Sequence, residues 1–476
     1  MLFNSLDFGF FLVIVFTMYW LIGGKRRITQ NLLILIASYV FYGFWDWRFL
    51  TLLIGSSLID YIAAKFIHAT QRKGRRKFWL LFSLFWNLGI LFTFKYMNFF
   101  LDSFHALFSS ELLPGEFSIW NVIIPVGLSF YTFQTMSYSI DVYRGKLKPT
   151  NNLLNFLCYV SFFPQLVAGP IERASFLLPQ FEKERSFDLE DAREGLRQIL
   201  WGLFKKILVA DKLGIAVTMV FDNPEGYGSI TLIYAAVLFS FQVYCDFSGY
   251  TDIAIGTARL FGFKLHINFR IPYLAKSMTQ FWQRWHITLT KWFTDYVYLP
   301  IVKSYKKPGN WSRVWALLIT MSLVGLWHGA NWTFICFGVV NGLMLVMERI
   351  PLGNSKRTLA RILPTRSRWI TVIYFFALTS ISSVFFRAYH IDDAWIILKR
   401  IFTLTADNEL SLLIGVKISF LILLIVSELL TRHKEFPLQQ LEKRFSRPIR
   451  WGIYYVLVVL IIRFYEPLKT FIYFQF

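Results

Sequence analysis

Long stretches without a charged side chain recur from one end of this 476-residue chain to the other. Residues 119–140 and 314–347 contain no Asp, Glu, Lys or Arg, and about 20 apolar residues suffice to cross a bilayer as a helix. Charged residues make up 17% of the chain, against about 25% in soluble domains. A transmembrane β-barrel would show short alternating segments instead. The sequence predicts an all-α polytopic membrane protein, a single membrane-embedded domain over residues 1–476 with about 10–12 transmembrane helices.

The formal net charge of +21 has two explanations. A basic chain can bind nucleic acid, but in a membrane protein Lys and Arg collect in cytoplasmic loops. We adopt the second explanation and expect membrane lipids, not nucleic acid, as partners. Basic residues 72–77 and 431–450 then lie inside, and the acidic loops 102–118 and 390–410 lie outside. This pattern places both termini on the outer side of the membrane.

Helix-breaking residues indicate that the fold is more than a plain bundle. Phe163-Pro164 and Gly169-Pro170 lie within an apolar region. Non-helical backbone at membrane depth is tolerated only against protein or a water-filled cavity, so we expect an internal chamber and re-entrant or interfacial helices. The charged residues 182–197 predict a surface helix, with Ser186 or Asp188 as its cap.

Several catalytic motifs are absent from the sequence. The chain has no phosphate-binding GxxxxGK loop, no HExxH and no GxSxG, and its three cysteines show no CxxC or metal-ligand spacing. We therefore expect no metal site, and hydrolysis by a metal or by a serine triad is unsupported.

Residues 276–300 combine aromatic and basic side chains. The large apolar residues that recur at helical spacing are Trp282, Trp285, Leu289, Trp292 and Tyr296. This pattern predicts an amphipathic helix at the membrane interface. Residues 264–313 carry nine Lys or Arg and one acid, a surface that attracts a phosphate-bearing cofactor as readily as lipid headgroups. The residues expected to bind such a cofactor are Trp282, Arg284, Trp285 and Lys291.

His328 is the only histidine in the uncharged residues 314–347, with Gly325 and Gly329 on either side and Asn331 after it. The simplest geometry is two helices that meet at a turn below the membrane surface, with His328 at the bottom of a cavity. Two interpretations remain open. The side chain is either a core histidine bonded to a backbone carbonyl, or a general base whose pKa is adjusted by burial. His286, which lies in the basic segment, is either an interfacial side chain with a polar tip and an apolar body or a functional residue.

Five segments occur in the order VGLSFYTFQTMSYSIDVYRG, FFPQLVAGPI, YCDFSGYTDIAIG, FWQRWHITLTKWF and LWHGANWTFICFGVVNG. Together they resemble the membrane-bound O-acyltransferase family, most closely its bacterial alginate O-acetyltransferase branch, and the resemblance covers nearly the whole chain. It implies a helical fold around a central tunnel that joins a cytoplasmic donor site to an outer acceptor funnel.

The resemblance also implies roles for the two histidines. The family's catalytic histidine lies in a motif similar to LWHG, which corresponds to His328, and its second histidine lies in a motif similar to WHITL, which corresponds to His286. The implied reaction moves an acyl group from cytoplasmic acetyl-CoA to a hydroxyl on the outer side. A hydroxyl needs a base, and the developing oxyanion needs a donor, for which Asn331 and the Trp327 N–H are both candidates.

The resemblance leaves the acceptor open. An exported, alginate-like polysaccharide is expected, reached through a periplasmic or extracellular acetyltransferase partner. Peptidoglycan, cellulose and D-alanyl transfer to teichoic acid are alternatives within the family. A lipid or sugar transporter is an alternative outside it, because transporter cavities also combine broken helices with a rare polar residue.

The last residues, FIYFQF, have two interpretations. A terminal strip of aromatic side chains is commonly an interfacial anchor. The strip also resembles an aromatic C-terminal motif of the small membrane partner in D-alanylation systems, whose tyrosine looks like an acyl relay. This resemblance implies that Tyr473 accepts the acetyl group in the funnel and presents it on the outer side.

Overall fold

The computed structural model describes residues 1–22, 26–108, 123–307, 309–349, 367–406, 418–466 and 471–472. Across these residues the regular structure is helical, without a β-strand. Five of the described segments are long and apolar enough to cross a membrane, namely Arg27–Ala69, Lys73–Leu107, Ser229–Leu260, Trp332–Arg349 and Arg368–Arg387. The all-α polytopic prediction is confirmed, whereas the number of 10–12 spans stays a prediction.

The chain divides into two compact units. The first comprises Met1–Gly195 and Thr257–His266, and the second comprises Leu196–Gly256 and Ile267–Phe476. The single-domain prediction is not tested by this division. The helices that begin in the first unit are α1 (Leu6–Leu21), α2 (Arg27–Asp46), α3 (Leu50–Ala69), α4 (Lys73–Leu91), α5 (Met97–Phe108), α6 (Leu128–Tyr143), α7 (Leu153–Ser161), α8 (Phe163–Leu166), α9 (Ala174–Glu182) and α10 (Leu189–Leu203).

The helix-breaking residues of the first unit act as predicted. Helix α7 ends at Ser161, α8 has a single turn, and residues 167–173 are not helical. This irregular backbone is buried in protein, since Ala168 is fully buried and Ile171 nearly so. The predicted surface helix begins at Leu189, because the carboxylate of Asp188 accepts hydrogen bonds from the N–H groups of Glu190 and Asp191 and so caps α10.

The helices that begin in the second unit follow in chain order. They are α11 (Asp211–Phe221), α12 (Ser229–Leu260), α13 (Met278–Trp282), α14 (Ile287–Phe293), α15 (Leu299–Ser304), α16 (Asn310–His328), α17 (Trp332–Arg349), α18 (Arg368–Arg387), α19 (Ile391–Phe402), α20 (Ile418–Leu430) and α21 (Arg447–Phe464).

Helices α16 and α17 form a tight hairpin. A side chain at Gly325 would clash with the carbonyl of Phe334, and one at Gly338 would clash with the carbonyl of Met321. The two backbones therefore approach each other closely, as small residues allow in membrane helices. The prediction of two helices meeting at a turn beside His328 is confirmed.

The predicted amphipathic helix in residues 276–300 is wrong. Helix α13 ends at Trp282, and His286 has a left-handed backbone (φ 41°) before α14 begins. The N–H groups of Arg270 and Ile287 instead bond to the carbonyls of Arg284 and Asn268. The tryptophan side chains of this segment are buried in protein, because Trp282, Trp285 and Trp292 are each at most 6% exposed.

Helix α12 lies close to residues 196–210 within the second unit. A Cβ at Gly202 would lie 2.6 Å from the carbonyl oxygen of Gly249. Only a pair of glycines permits this approach. It allows two consecutive lysines, Lys205 and Lys206, to reach the polar side chains of α12.

Candidate active site

His328 is the last residue of α16 and is 3% exposed. Its imidazole contacts three aromatic rings, with centroid distances of 5.0 Å to Trp327, 5.1 Å to Phe386 and 6.3 Å to Phe337. The surroundings of the ring are therefore apolar and exclude bulk water. In such a medium, hydrogen bonds and charges act more strongly than in water.

His286 is fully buried at the N-terminus of α14. Burial lowers its pKa to about 3, so its imidazole is neutral at physiological pH. Its left-handed backbone is unusual for a residue with a side chain, and such strained positions concentrate at functional sites. The imidazole contacts Phe247 at 4.6 Å and Trp327 at 5.6 Å between ring centroids.

The structure brings the two predicted histidines into contact with the same indole ring. The Trp327 ring contacts both His286 and His328. The two histidines are 42 positions apart in the sequence, and the break at residues 283–286 places one of them beside the end of α16. Trp327, which the sequence analysis considered only as an N–H donor, is the link between them.

A basic cavity of about 750 Å³ lies in the second unit. Its cationic lining residues are Lys205, Arg270, Arg284, Arg368, Arg432 and Lys434. Burial, together with the positive charges of Arg368 and Arg270, lowers the pKa of Arg284. The lining also carries the acidic side chains Asp252, Glu428 and Glu435. The positive charges of Arg270 and Arg368 nevertheless repel that of Arg284, and a bound anion would relieve this repulsion. Arg284 was predicted from the sequence, whereas the basic residues contributed by distant segments were not.

Polar groups are fixed along the wall of the basic cavity. The Lys205 ammonium lies 2.5 Å from an Asp252 carboxylate oxygen and 2.9 Å from the Ser248 hydroxyl. The Oδ1 of Asn268 accepts a hydrogen bond of 2.7 Å from the Thr288 hydroxyl. The Nδ2 of the same buried amide has no acceptor among the described residues, which leaves a donor for a bound molecule.

Two smaller spaces lie beside the basic cavity and share lining residues with it or with each other. An apolar groove of about 220 Å³ shares Tyr244 and Leu274 with the basic cavity. A chamber of about 30 Å³ shares Tyr273 with the groove. The chamber is also lined by Phe337 and Phe386, two of the three rings that contact His328. Shared lining residues therefore relate the basic cavity to the rings beside His328, although His328 itself lines none of the three spaces.

The other residues predicted to bind the donor lie in different places. Trp285 lines the small chamber, and Trp282 is buried with its indole N–H lacking an acceptor among the described residues. Lys291 is exposed on α14 and does not line the basic cavity, whereas Arg284 does. Of the four predicted residues, Trp282 and Trp285 are therefore internal, Arg284 lines the basic cavity, and Lys291 lies on the surface.

Asn331 lies in the turn between α16 and α17. Its Oδ1 accepts a hydrogen bond of 3.0 Å from the Thr333 N–H, and its Nδ2 donates one of 3.0 Å to the carbonyl of Tyr389. The amide therefore caps α17 and keeps one of its two N–H donors for other partners.

Tyr473 lies outside the described residues, but the two residues before it are described. The Phe471 ring stacks on Tyr250 at 4.9 Å and contacts Phe247 at 5.6 Å. Phe247 in turn contacts His286. Phe471 is thus one aromatic ring away from His286, an arrangement that the sequence alone did not reveal.

Comparisons with known proteins match this chain to a single family. The model of the membrane-bound O-acyltransferase family matches residues 34–390. The chain is 40% identical to the probable alginate O-acetylase AlgI of Pseudomonas putida over 392 residues, which are 82% of this chain and 77% of that protein. It is 34% identical to the peptidoglycan O-acetyltransferase of Helicobacter pylori over 434 residues, 84% of this chain and 79% of the relative.

A more distant relative transfers a different group. The teichoic acid D-alanyltransferase of Streptococcus thermophilus is 27% identical over 300 residues, 58% of this chain and 72% of that protein. Across the described residues, no group of three or more His, Cys, Asp or Glu side chains could hold a metal ion.

Proposed function

The chain belongs to the membrane-bound O-acyltransferase family, and from this premise we propose that it moves an acetyl group from cytoplasmic acetyl-CoA across the bacterial inner membrane for O-acetylation of an exported, alginate-like polysaccharide. It is a multi-pass membrane acyltransferase. The observation that carries the proposal is the series of three spaces with shared lining residues, from the basic cavity to the chamber whose rings Phe337 and Phe386 contact His328. In this proposal the basic cavity faces the cytoplasm, and both termini face the periplasm.

The basic cavity suits the nucleotide end of acetyl-CoA. This end carries phosphate groups, for which guanidinium groups are the preferred partners. Arg284, Arg270 and Arg368 supply such groups from three different segments. The free N–H donor of Asn268 offers a further hydrogen bond. The apolar groove would then accommodate the less polar part of the donor on the way to His328. Trp282 and Lys291 remain sequence predictions for donor binding.

The small chamber favours an acyl group of two carbons. Its volume is about 30 Å³, much smaller than the volume of about 220 Å³ of the apolar groove, so only a small acyl group fits beside the rings that line it. Six of its eleven lining residues are aromatic, among them Phe281, Trp285 and Phe386, and four of the others carry hydroxyl groups, namely Ser240, Thr379, Ser382 and Ser383. A D-alanyl group adds both a methyl and an amino group to the acetyl framework, and this additional volume is unfavourable in so small a chamber. The chamber therefore supports acetyl over D-alanyl transfer.

His328 is the general base in this proposal. Its imidazole takes the proton from the acceptor hydroxyl while the hydroxyl oxygen attacks the thioester carbonyl. The C–S bond of the tetrahedral intermediate then breaks, and the proton passes from the imidazolium to the departing CoA thiolate. The second N–H of Asn331 is the proposed donor to the oxyanion. His286 stays neutral and holds the Trp327 indole against His328.

Tyr473 is the proposed first acceptor. The position of Phe471, one ring from His286, supports this role. An acyl relay on the chain solves a problem of reach, since a polymer hydroxyl cannot easily approach a thioester at membrane depth. Phenol has a pKa of about 10, so the phenolate leaves more readily than an alkoxide. A secreted acetyltransferase partner then transfers the acetyl group from Tyr473 to the polysaccharide.

The acetyl-tyrosine gives a direct test that does not depend on the acceptor. Purified enzyme in lipid vesicles is incubated with acetyl-CoA, and its C-terminal peptide is analysed by mass spectrometry. The wild type should carry acetyl on Tyr473, and His328→Gln should lose about 10²–10⁴-fold in the rate of acetylation with an unchanged melting temperature. An unmodified wild-type tail, combined with polymer acetylation by Tyr473→Phe at the normal rate, would refute the relay. A transporter would show no covalent transfer at all.

A further inference from the structure

The C-terminal segment is held at two consecutive residues. The side chain of Phe471 is 1% exposed, and that of Ile472 is 6% exposed. Phe471 is held by its ring, which stacks on Tyr250. Ile472 is held by its backbone, because its N–H donates a hydrogen bond of 2.8 Å to Oδ2 of Asp246. Chain ends are usually poorly ordered unless something ties them down, so this double attachment calls for an explanation.

Asp246 is itself fixed by charge. Its Oδ1 lies 2.5 Å from the ammonium of Lys206, which also lies 2.9 Å from a carboxylate oxygen of Asp211. The side chains of Asp246 and Lys206 are both 4% exposed. A buried ion pair costs desolvation energy, and such pairs contribute more to specific positioning than to stability. The pair leaves one carboxylate oxygen of Asp246 directed at the N–H of Ile472.

The geometry of α12 connects this attachment to the active site. Asp246, Phe247 and Tyr250 lie within five consecutive positions of one helix. Asp246 holds the backbone of Ile472, while Phe247 contacts both Phe471 and His286. One helical turn therefore holds the C-terminal segment and touches a histidine of the active site.

We infer that Asp246, held by Lys206, is a positioning residue that anchors the C-terminal segment for acyl transfer. The inference rests on the proposed role of Tyr473 as acyl acceptor. Consecutive Cα atoms are about 3.8 Å apart, so a backbone fixed at Ile472 limits the space that the next residue can reach. Without the anchor, the acceptor hydroxyl would spend less time within reach of His328, and kcat would fall while donor binding stayed the same.

Proline at position 472 removes the anchor from the tail side. Proline has no N–H, so Ile472→Pro deletes the hydrogen bond to Asp246 and leaves the pair of Asp246 and Lys206 intact. Ile472→Val is the matched control, because it changes the side chain and keeps the N–H. Loss of a hydrogen bond to a charged group should lower kcat about ten- to a hundredfold in the proline variant relative to the valine variant. The KM for acetyl-CoA should stay within about twofold.

The experiment measures acetylation of the C-terminal peptide and of the polymer in vesicles, together with the melting temperature of each variant. Equal kcat values for Ile472→Pro and Ile472→Val would overturn the anchor. If Ile472→Pro does not fold, Asp246→Ala decides in the same assay. Alanine has no acceptor for the N–H of Ile472, whereas Lys206 keeps Asp211 as a partner, and an unchanged kcat would overturn the inference. Tyr473→Phe separates the two proposals, since normal polymer acetylation by that variant refutes the relay itself.

Discussion

The imidazole of His286 meets the indole of Trp327 edge to face, with ring centroids 5.6 Å apart and planes at 73°. Trp327 also contacts His328, its neighbour in the sequence. A side chain that is fully buried and neutral can thus influence the proposed base through one aromatic ring. Edge-to-face pairs of this kind contribute about 0.5–1.5 kcal/mol beyond the area they bury, enough to hold a ring in one orientation.

The contact between His286 and Trp327 predicts energetic coupling in catalysis. If His286 acts on His328 through the indole, the double variant His286→Ala/Trp327→Phe should be little worse than the more damaged single variant. The coupling energy from kcat/KM should then be about 0.5–3 kcal/mol, as for residues in contact. The measurement is a double-mutant cycle on acetylation of the C-terminal peptide. Strictly additive losses would show that the two residues act independently.

The basic cavity predicts that Arg284 contributes to donor binding. Arg284→Ala should raise the KM for acetyl-CoA about tenfold or more, because it removes a hydrogen-bonding cation from the cavity wall, and should lower kcat much less. Lys306→Ala is a matched control that removes one exposed positive charge at a position that does not line the cavity. Equal increases in KM for both variants would mean that only the overall charge matters.

The sequence predicted the elements whose local pattern decides the structure. Uncharged runs predicted membrane helices, and the glycines around His328 predicted the turn between α16 and α17. The charged residues 182–197 predicted the surface helix with Ser186 or Asp188 as its cap, and Asp188 is the cap that the structure shows. In each case neighbouring residues are enough to determine the outcome.

The prediction of one helix in residues 276–300 was wrong because a tertiary contact determines the backbone there. Helical spacing from Trp282 to Trp292 suggested one helix, but the backbone N–H of Ile287 bonds to Asn268 instead. A backbone hydrogen bond to an irregular segment earlier in the chain cannot be predicted from periodicity. The same limit applies to the basic cavity, since Lys205, Arg368 and Arg432 come from segments far apart in the sequence.

The small chamber predicts that acyl size is limited by its wall. Val243 lines the chamber and is 5% exposed. Val243→Ala enlarges the space and should raise kcat/KM for propionyl-CoA relative to acetyl-CoA about tenfold or more, the usual effect of one methylene in a tight pocket. Val217→Ala, a change of the same size at a buried position that does not line the chamber, is the control. The same ratio in both variants would place the acyl group elsewhere.

The buried His286 predicts a loss of stability in acid. Burial lowers its folded-state pKa to about 3 from the ordinary value of 6.5. Between these two pH values the unfolded chain binds a proton at this imidazole and the folded chain does not. The stabilising contribution is complete above pH 6.5 and decreases as the pH falls towards 3. At pH 5 the loss is about 2 kcal/mol, since each unit of pKa difference corresponds to about 1.4 kcal/mol.

The measurement compares melting temperatures at pH 7.5 and pH 5 in detergent for the wild type and His286→Gln. The glutamine variant cannot take up this proton, so its melting temperature should fall less between the two values of pH. The structure indicates that the imidazole is excluded from water. An identical fall in both proteins would contradict this, because it would show that protonation of His286 does not destabilise the fold.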